Sequence, residues 1–167
     1  MKTFLLTAIA FALLPALGGV LPELHLTTAR LDLHLPFILF LALTGPGIEG
    51  ALGAFAIGYF VELQSGHPMG LWLSATMCTF VVARLFSPLI DARSALGFGA
   101  IAFGFDLIYG FTALALASLG PLTGSGSAAS VLWTALLTAP AAALCWPLFD
   151  AIEQRLRKKE RGGLRLR

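Results

Sequence analysis

The first 154 residues hold only four basic side chains, Lys2, Arg30, Arg84 and Arg93. This scarcity of charge constrains the chain more than any motif does. A soluble domain devotes about a quarter of its residues to charge, whereas 12% of this chain is charged and 57% is hydrophobic. The mean hydropathy is +0.86. A chain of 167 residues cannot hide so much apolar surface in one core and still present a polar exterior. The expected solvent is therefore lipid, and the length suits one domain.

Six apolar segments approach the roughly 20 residues that a spanning helix needs. They run over 3–21, 31–44, 48–63, 69–88, 95–119 and 128–149. Gly45-Pro46-Gly47, Ser65-Gly66-His67-Pro68, Ser87-Pro88 and the stretch from Gly120 to Ser127 separate them. The segments are continuously apolar, not alternating, which predicts helices and excludes barrel strands. In segment one, Lys2 and Ala16-Leu17-Gly18 also resemble a signal peptide with an imperfect cleavage site. Segment two rises only about 21 Å as a helix, so a re-entrant piece is an alternative there.

Basic residues orient the bundle. Seven of the 11 Lys and Arg lie in the last 13 residues: Arg155, Arg157, Lys158, Lys159, Arg161, Arg165 and Arg167. With six spans and a cytoplasmic C-terminus, Lys2, Arg84 and Arg93 join them on one side and only Arg30 falls outside. The expectation is an all-α integral membrane protein of the bacterial inner membrane. It is a compact bundle of about six transmembrane helices with short loops and both termini cytoplasmic. Residues 1–150 form the polytopic domain and 151–167 a basic tail. The small net charge, without aromatic–basic interleaving, gives no case for nucleic acid.

Ionisable groups inside lipid are costly and usually face a partner. Glu49 and Glu62 sit at opposite ends of segment three, about 20 Å apart along a helix, so they form no carboxylate pair. Asp106 falls in the middle of segment five. It reads as a structural residue satisfied by a neighbouring helix, or as a proton relay, ligand contact or partner contact. Arg84 reads as snorkelling to the interface, or as reaching towards Asp106. His25, His34 and His67 have no metal-ligand spacing, and Ser65 belongs to a Ser-Gly turn with no base nearby. No nucleophile elbow or phosphate loop appears, so an enzyme is not expected and no cofactor is implied. Cys78 and Cys145 read as core packing residues.

Gly50, Ala54 and Gly58 fall at i, i+4 and i+8, a small-residue face that admits another helix. The run from Gly53 to Gly58 is echoed 46 residues on from Gly99 to Gly104, as a parallel repeat or by chance. After segment six, Leu148, Ile152 and Leu156 keep helical spacing, so the tail is expected to continue as helix. Arg155, Arg157, Lys158, Lys159 and Arg161 then read as an anchor on anionic lipid or as a docking helix.

Segments three and four resemble the bacterial rod-shape-determining MreD family. That family's Gly, three residues, Asp, two residues, Ser-Gly, and Gly four residues on fall here on Gly58, Glu62, Ser65, Gly66 and Gly70. Glu62 replaces the usual Asp and reaches about one methylene further. Pro36 matches the proline that opens the family's second segment, although its usual polar neighbours are replaced by Leu35 and Phe37. Asp106 falls where a later family helix often has Asp. The resemblance implies a non-enzymatic scaffold of the cell-elongation machinery. It would bind an MreC-like single-span protein, work with RodA and a class B penicillin-binding protein, and meet MreB filaments indirectly. Small-residue faces and buried carboxylates would contact the partner helix.

A different class has a similar architecture: the substrate-binding subunit of an energy-coupling-factor vitamin transporter. Ala8, Ala12 and Ala16 are similar to the docking face of such subunits. A vitamin site would need convergent polar or aromatic residues, of which the sequence displays few. A small transporter that moves protons through Asp106 is a looser alternative.

Overall fold

A computed structural model describes residues 32–45, 47–65, 70–90, 94–119 and 127–163, with side chains described to residue 154 except that of 119. Segment one, with Ala8, Ala12 and Ala16, lies outside these residues, as do Gly66, His25, His67, Arg30 and Arg93. The described chain is all-helical: α1 (His34–Thr44), α2 (Gly47–Ser65), α3 (Leu71–Phe86), α4 (Ala95–Leu119) and α5 (Ala128–Gly163). Two of them, α4 and α5, contain stretches long and apolar enough to cross a membrane, Ala95–Ser118 and Ala128–Gln154.

The shortest helix is the most buried. Every residue from His34 to Ala42 is buried, with none of the amphipathic division a surface helix requires. Its 11 residues rise about 16 Å, half the thickness of a hydrocarbon core. Helices α2, α3, α4 and α5 all pack against it. Pro36 sits in its first turn, where a missing N–H costs no intrahelical bond.

The core divides by chemistry along α1. Towards its C-terminus, Phe149 stacks on Phe40 at 4.7 Å and meets Phe37 edge-on at 5.2 Å. Phe98 adds a further edge contact to Phe149 and a tilted one to Trp146. Around its N-terminus the neighbours are mixed: Leu35 packs with Ala75, Ala113, Tyr109 and Trp72, and the polar groups Thr76, Asp106 and Thr138 are buried nearby. The outward surface is apolar: Ile48, Leu89, Leu96 and Leu144 are all about four-fifths exposed. That surface is compatible with a helical membrane protein.

Small residues set the helix spacing. A Cβ on Gly58 would lie 2.9 Å from Thr76 Cβ and 3.2 Å from a Leu73 methyl, and one on Gly50 would lie 3.1 Å from the Leu41 carbonyl oxygen. Ala54 between them is fully buried. The predicted small-residue face is thus real, but the chain's own α1 and α3 occupy it. Helices α4 and α5 pack most extensively, through Gly99 against the Ala139 backbone and Gly110 against Val131. The echo between the two glycine runs does not extend to environment, because Gly58 is tightly packed whereas Gly104 faces open space.

Helix α5 continues through residue 150 to Gly163, so the expected boundary between bundle and tail falls inside one helix. Its 36 residues rise about 54 Å, well beyond a bilayer core. Pro140 and Pro147 both lie within it, on exposed positions. Arg155, Arg157, Lys158, Lys159 and Arg161 ride on this extension. Cys145 is half-buried against the core as expected, but Cys78 is exposed on α3 and is not a core residue.

The two mid-helix glycines should respond oppositely to the same change. Gly58→Val should cost about 1–3 kcal/mol through overpacking, seen as a lower unfolding midpoint in detergent. Gly104→Ala should be neutral or stabilising by up to about 1 kcal/mol through helix propensity. Equal midpoints for both variants would refute the packing assignment.

Candidate functional site

The turn between α2 and α3 is built around one carboxylate. Glu62 is buried one turn before the end of α2. Its Oε1 accepts from the Gly70 amide at 2.9 Å and its Oε2 from the Leu73 amide at 2.7 Å. Gly70 is the residue before α3 and Leu73 is in its first turn. These amides have no acceptor inside the helix, and a negative charge there also meets the positive end of the helix dipole. Glu62 therefore caps α3 from a neighbouring helix, doing with two oxygens what a local cap does with one.

The rest of the motif supports that clamp. Gly58, one turn earlier, allows α2 and α3 to close to contact. Ser65 donates its hydroxyl proton to the Glu62 carbonyl at 2.9 Å and finishes α2. Gly70 adopts φ +108°, a left-handed conformation that other residues enter at a cost. The extra methylene of Glu62 lets one carboxylate reach both amides across the turn. Gly58, Glu62, Ser65 and Gly70 thus act together, while Gly50 and Ala54 belong to the packing face above them.

Arg84 does the complementary job at the opposite end. Its Nη1 donates to the Ala42 carbonyl at 2.9 Å and to the Gly45 carbonyl at 3.0 Å. Carbonyls at a helix C-terminus lack intrahelical donors and attract cations. Arg84 is exposed near the end of α3 and caps α1; it is not directed at Asp106. At α4 and α5 hydroxyls take over. Ser94 Oγ accepts from the Gly97 amide, and Ser127 and Ser130 exchange amide-to-hydroxyl bonds.

Asp106 belongs to a separate constellation. It is 2% exposed on α4, one turn before Tyr109. The Asp32 carboxyl faces it within hydrogen-bonding reach, and Thr138 of α5 lies beside it. Thr138 also accepts the Asp32 amide at 3.2 Å while donating to the Thr134 carbonyl at 2.9 Å. The His34 ring meets Tyr109 edge-on at 5.1 Å, and the Trp72 ring lies 5.8 Å from Tyr109. Thr76 Oγ1 lies close to the Tyr109 hydroxyl, but neither forms a hydrogen bond of good geometry. His34 Nε2 and Asp106 Oδ2 are likewise buried without a partner. Buried polar atoms are almost always satisfied, so four orphans in one cluster are unusual.

These residues gather from positions 32, 34, 76, 106, 109 and 138, and no motif spacing announces them. The sequence exposed Asp106 because it interrupts an apolar run. It concealed Tyr109, Thr76 and Thr138, which are ordinary residues in such helices. Compared with family models, with curated proteins and with solved structures, the chain gives no match in any of the three.

Removing the clamp should be costly. Glu62→Ala loses two hydrogen bonds to a charged group, at about 1.5–3 kcal/mol each. It should lower the unfolding midpoint and raise hydrogen exchange at the Gly70 and Leu73 amides. Glu62→Asp should retain part of that protection. Unchanged exchange at both amides in Glu62→Ala would show that the clamp contributes nothing.

Proposed function

We propose that the chain is a non-enzymatic scaffold of the bacterial inner membrane, an MreD-like subunit of the cell-elongation machinery. In this reading it has about six spans, with both termini in the cytoplasm. It binds an MreC-like single-span protein, works beside RodA and a class B penicillin-binding protein, and meets MreB filaments indirectly. The observation that carries the reading is the joint role of the motif residues. Gly58, Glu62, Ser65 and Gly70, the described positions on which the resemblance rests, close a single helix-to-helix turn. A motif spent on building a rigid hairpin suits a protein that works by presenting helices.

The internal use of Gly50, Ala54 and Gly58 refines the mechanism. The partner helix then meets the outward apolar surface, such as the face of α2 with Leu52 and the stacked pair Phe55 and Tyr59. The basic extension of α5 provides the cytoplasmic anchor on anionic lipid or the docking helix towards the filament side.

A second reading, the substrate-binding subunit of a vitamin transporter, gains support from the cluster around His34, Thr76, Asp106 and Tyr109. Convergent polar and aromatic side chains of that kind are what a small-molecule site requires.

Co-expression with an MreC-like protein separates the two. The expected result is co-purification from detergent. A purified chain that carries a bound vitamin and ignores the MreC-like protein would establish the second reading instead. Removing residues 157–167 should weaken the assembly or disturb orientation. Normal rod growth without them would make the tail dispensable.

A further inference from the structure

The cluster around Asp106 has an imbalance of hydrogen-bond donors and acceptors. Asp106 faces the Asp32 carboxyl and the Thr138 hydroxyl oxygen. Thr138 has one hydroxyl proton, and the Thr134 carbonyl receives it at 2.9 Å. What Thr138 turns towards the carboxyls is therefore a lone pair, which already accepts the Asp32 amide. Two carboxyls and a hydroxyl oxygen converge as acceptors, and Asp106 Oδ2 stays without a donor. Such a grouping in an apolar interior is unfavourable unless a positive charge lies within it.

The described side chains do not provide that charge from lysine or arginine. Among them the one such residue is Arg84, and the carbonyls of Ala42 and Gly45 hold its Nη1. Glu62 lies within electrostatic reach of Tyr109 but spends both oxygens on α3. Thr138 from α5 lies beside the pair and Tyr109 from α4 lies within its electrostatic reach, while His34 from α1, Glu62 from α2 and Thr76 from α3 are grouped around Tyr109. His34 and Tyr109 are in ring contact. No three His, Cys, Asp or Glu gather as a metal set among the described residues. Hydroxyl and carboxyl oxygens in this number suit a small hard cation over a transition metal.

We propose that Asp32 and Asp106, with Thr138, form a binding site for a small monovalent cation, either sodium or a proton, inside the helical bundle. Thr76 and Tyr109 place two further hydroxyls at its edge. The site is independent of the scaffold reading and would exist in either functional class.

The test uses the full chain in lipid nanodiscs and reads the thermal unfolding midpoint. One arm compares sodium chloride with choline chloride at equal ionic strength and fixed pH. The other varies pH without sodium. A cation that binds only the folded state raises the midpoint, and continues to raise it with the logarithm of its concentration above Kd. If sodium is the ligand, the midpoint climbs with sodium in the wild type, and Asp106→Asn and Asp32→Asn each abolish the response. If the proton is the ligand, sodium has no effect, and the wild-type midpoint falls as pH rises while the Asn variants stay flat. His34→Gln should keep the wild-type response in either case. Identical responses in the wild type and both Asn variants would overturn the proposal. So would loss of the response in Arg30→Gln alone, which would make Arg30 the counter-charge.

Labelling of the wild type with an apolar carbodiimide covers the case in which the variants fail to fold. The reagent attacks protonated carboxyls within membranes. Mass spectrometry should find an adduct on Asp106 or Asp32 in sodium-free buffer, slowed by sodium or by rising pH alone. No adduct on either residue would count against the site.

Discussion

A helix that ends in apolar surroundings leaves amides at one end and carbonyls at the other with no water to meet them. The described bundle resolves this with side chains sent from other elements. Glu62 brings a negative charge to the amides of α3 and Arg84 a positive charge to the carbonyls of α1. Each charge lies at the end where the helix dipole favours it. Glu62 joins two consecutive helices and Arg84 joins α3 to α1, so in each case the same bonds satisfy the backbone and tie two helices together. The close approaches at Gly50 and Gly58 lie along α2 between these two clamps.

Between the clamps the interior changes character along α1. Its middle turns are held by dispersion and ring geometry among Phe37, Phe40, Phe98 and Phe149. Such a cluster tolerates no polar atom and sets a firm spacing between α1, α4 and α5. Its N-terminal end packs beside buried carboxyls, hydroxyls and an imidazole, several of them without a hydrogen-bond partner. An apolar base beside a buried polar cluster is an arrangement in which a bound charge would be felt by the helices around it.

Much of the helix layout was legible in the sequence. The segments read as 48–63 and 95–119 correspond to α2 and α4 within two residues, because Gly-Pro and Ser-Pro punctuation brackets continuous apolar runs. The continuation of α5 was legible from Leu148 and Ile152, since helical spacing does not depend on tertiary contact. The acceptors of Arg84 were hidden for the opposite reason. They are main-chain carbonyls 42 and 39 residues away, and a carbonyl has no sequence signature. The partner of the Gly50, Ala54 and Gly58 face could not be read from spacing either. A small-residue stripe announces close approach but not whose helix approaches. For Asp106, the cost of burial was visible while the company it keeps was not. Asp32, Thr76 and Thr138 join it only once the chain has folded.

The complete burial of α1 bears on the order in which the protein can be made. A growing chain presents α1 long before Arg84, and longer still before Phe98 and Phe149. Yet Arg84 caps its carbonyls, Phe149 covers its rings and Phe98 backs Phe149. Eleven residues are too few to hold a stable place across a bilayer alone. During synthesis α1 is therefore a guest without a host, and its final position is granted retroactively by helices that follow it. The central element of the bundle is an early part of the described chain to be translated and among the last to be secured, so truncation at the C-terminal side should be felt first at its centre.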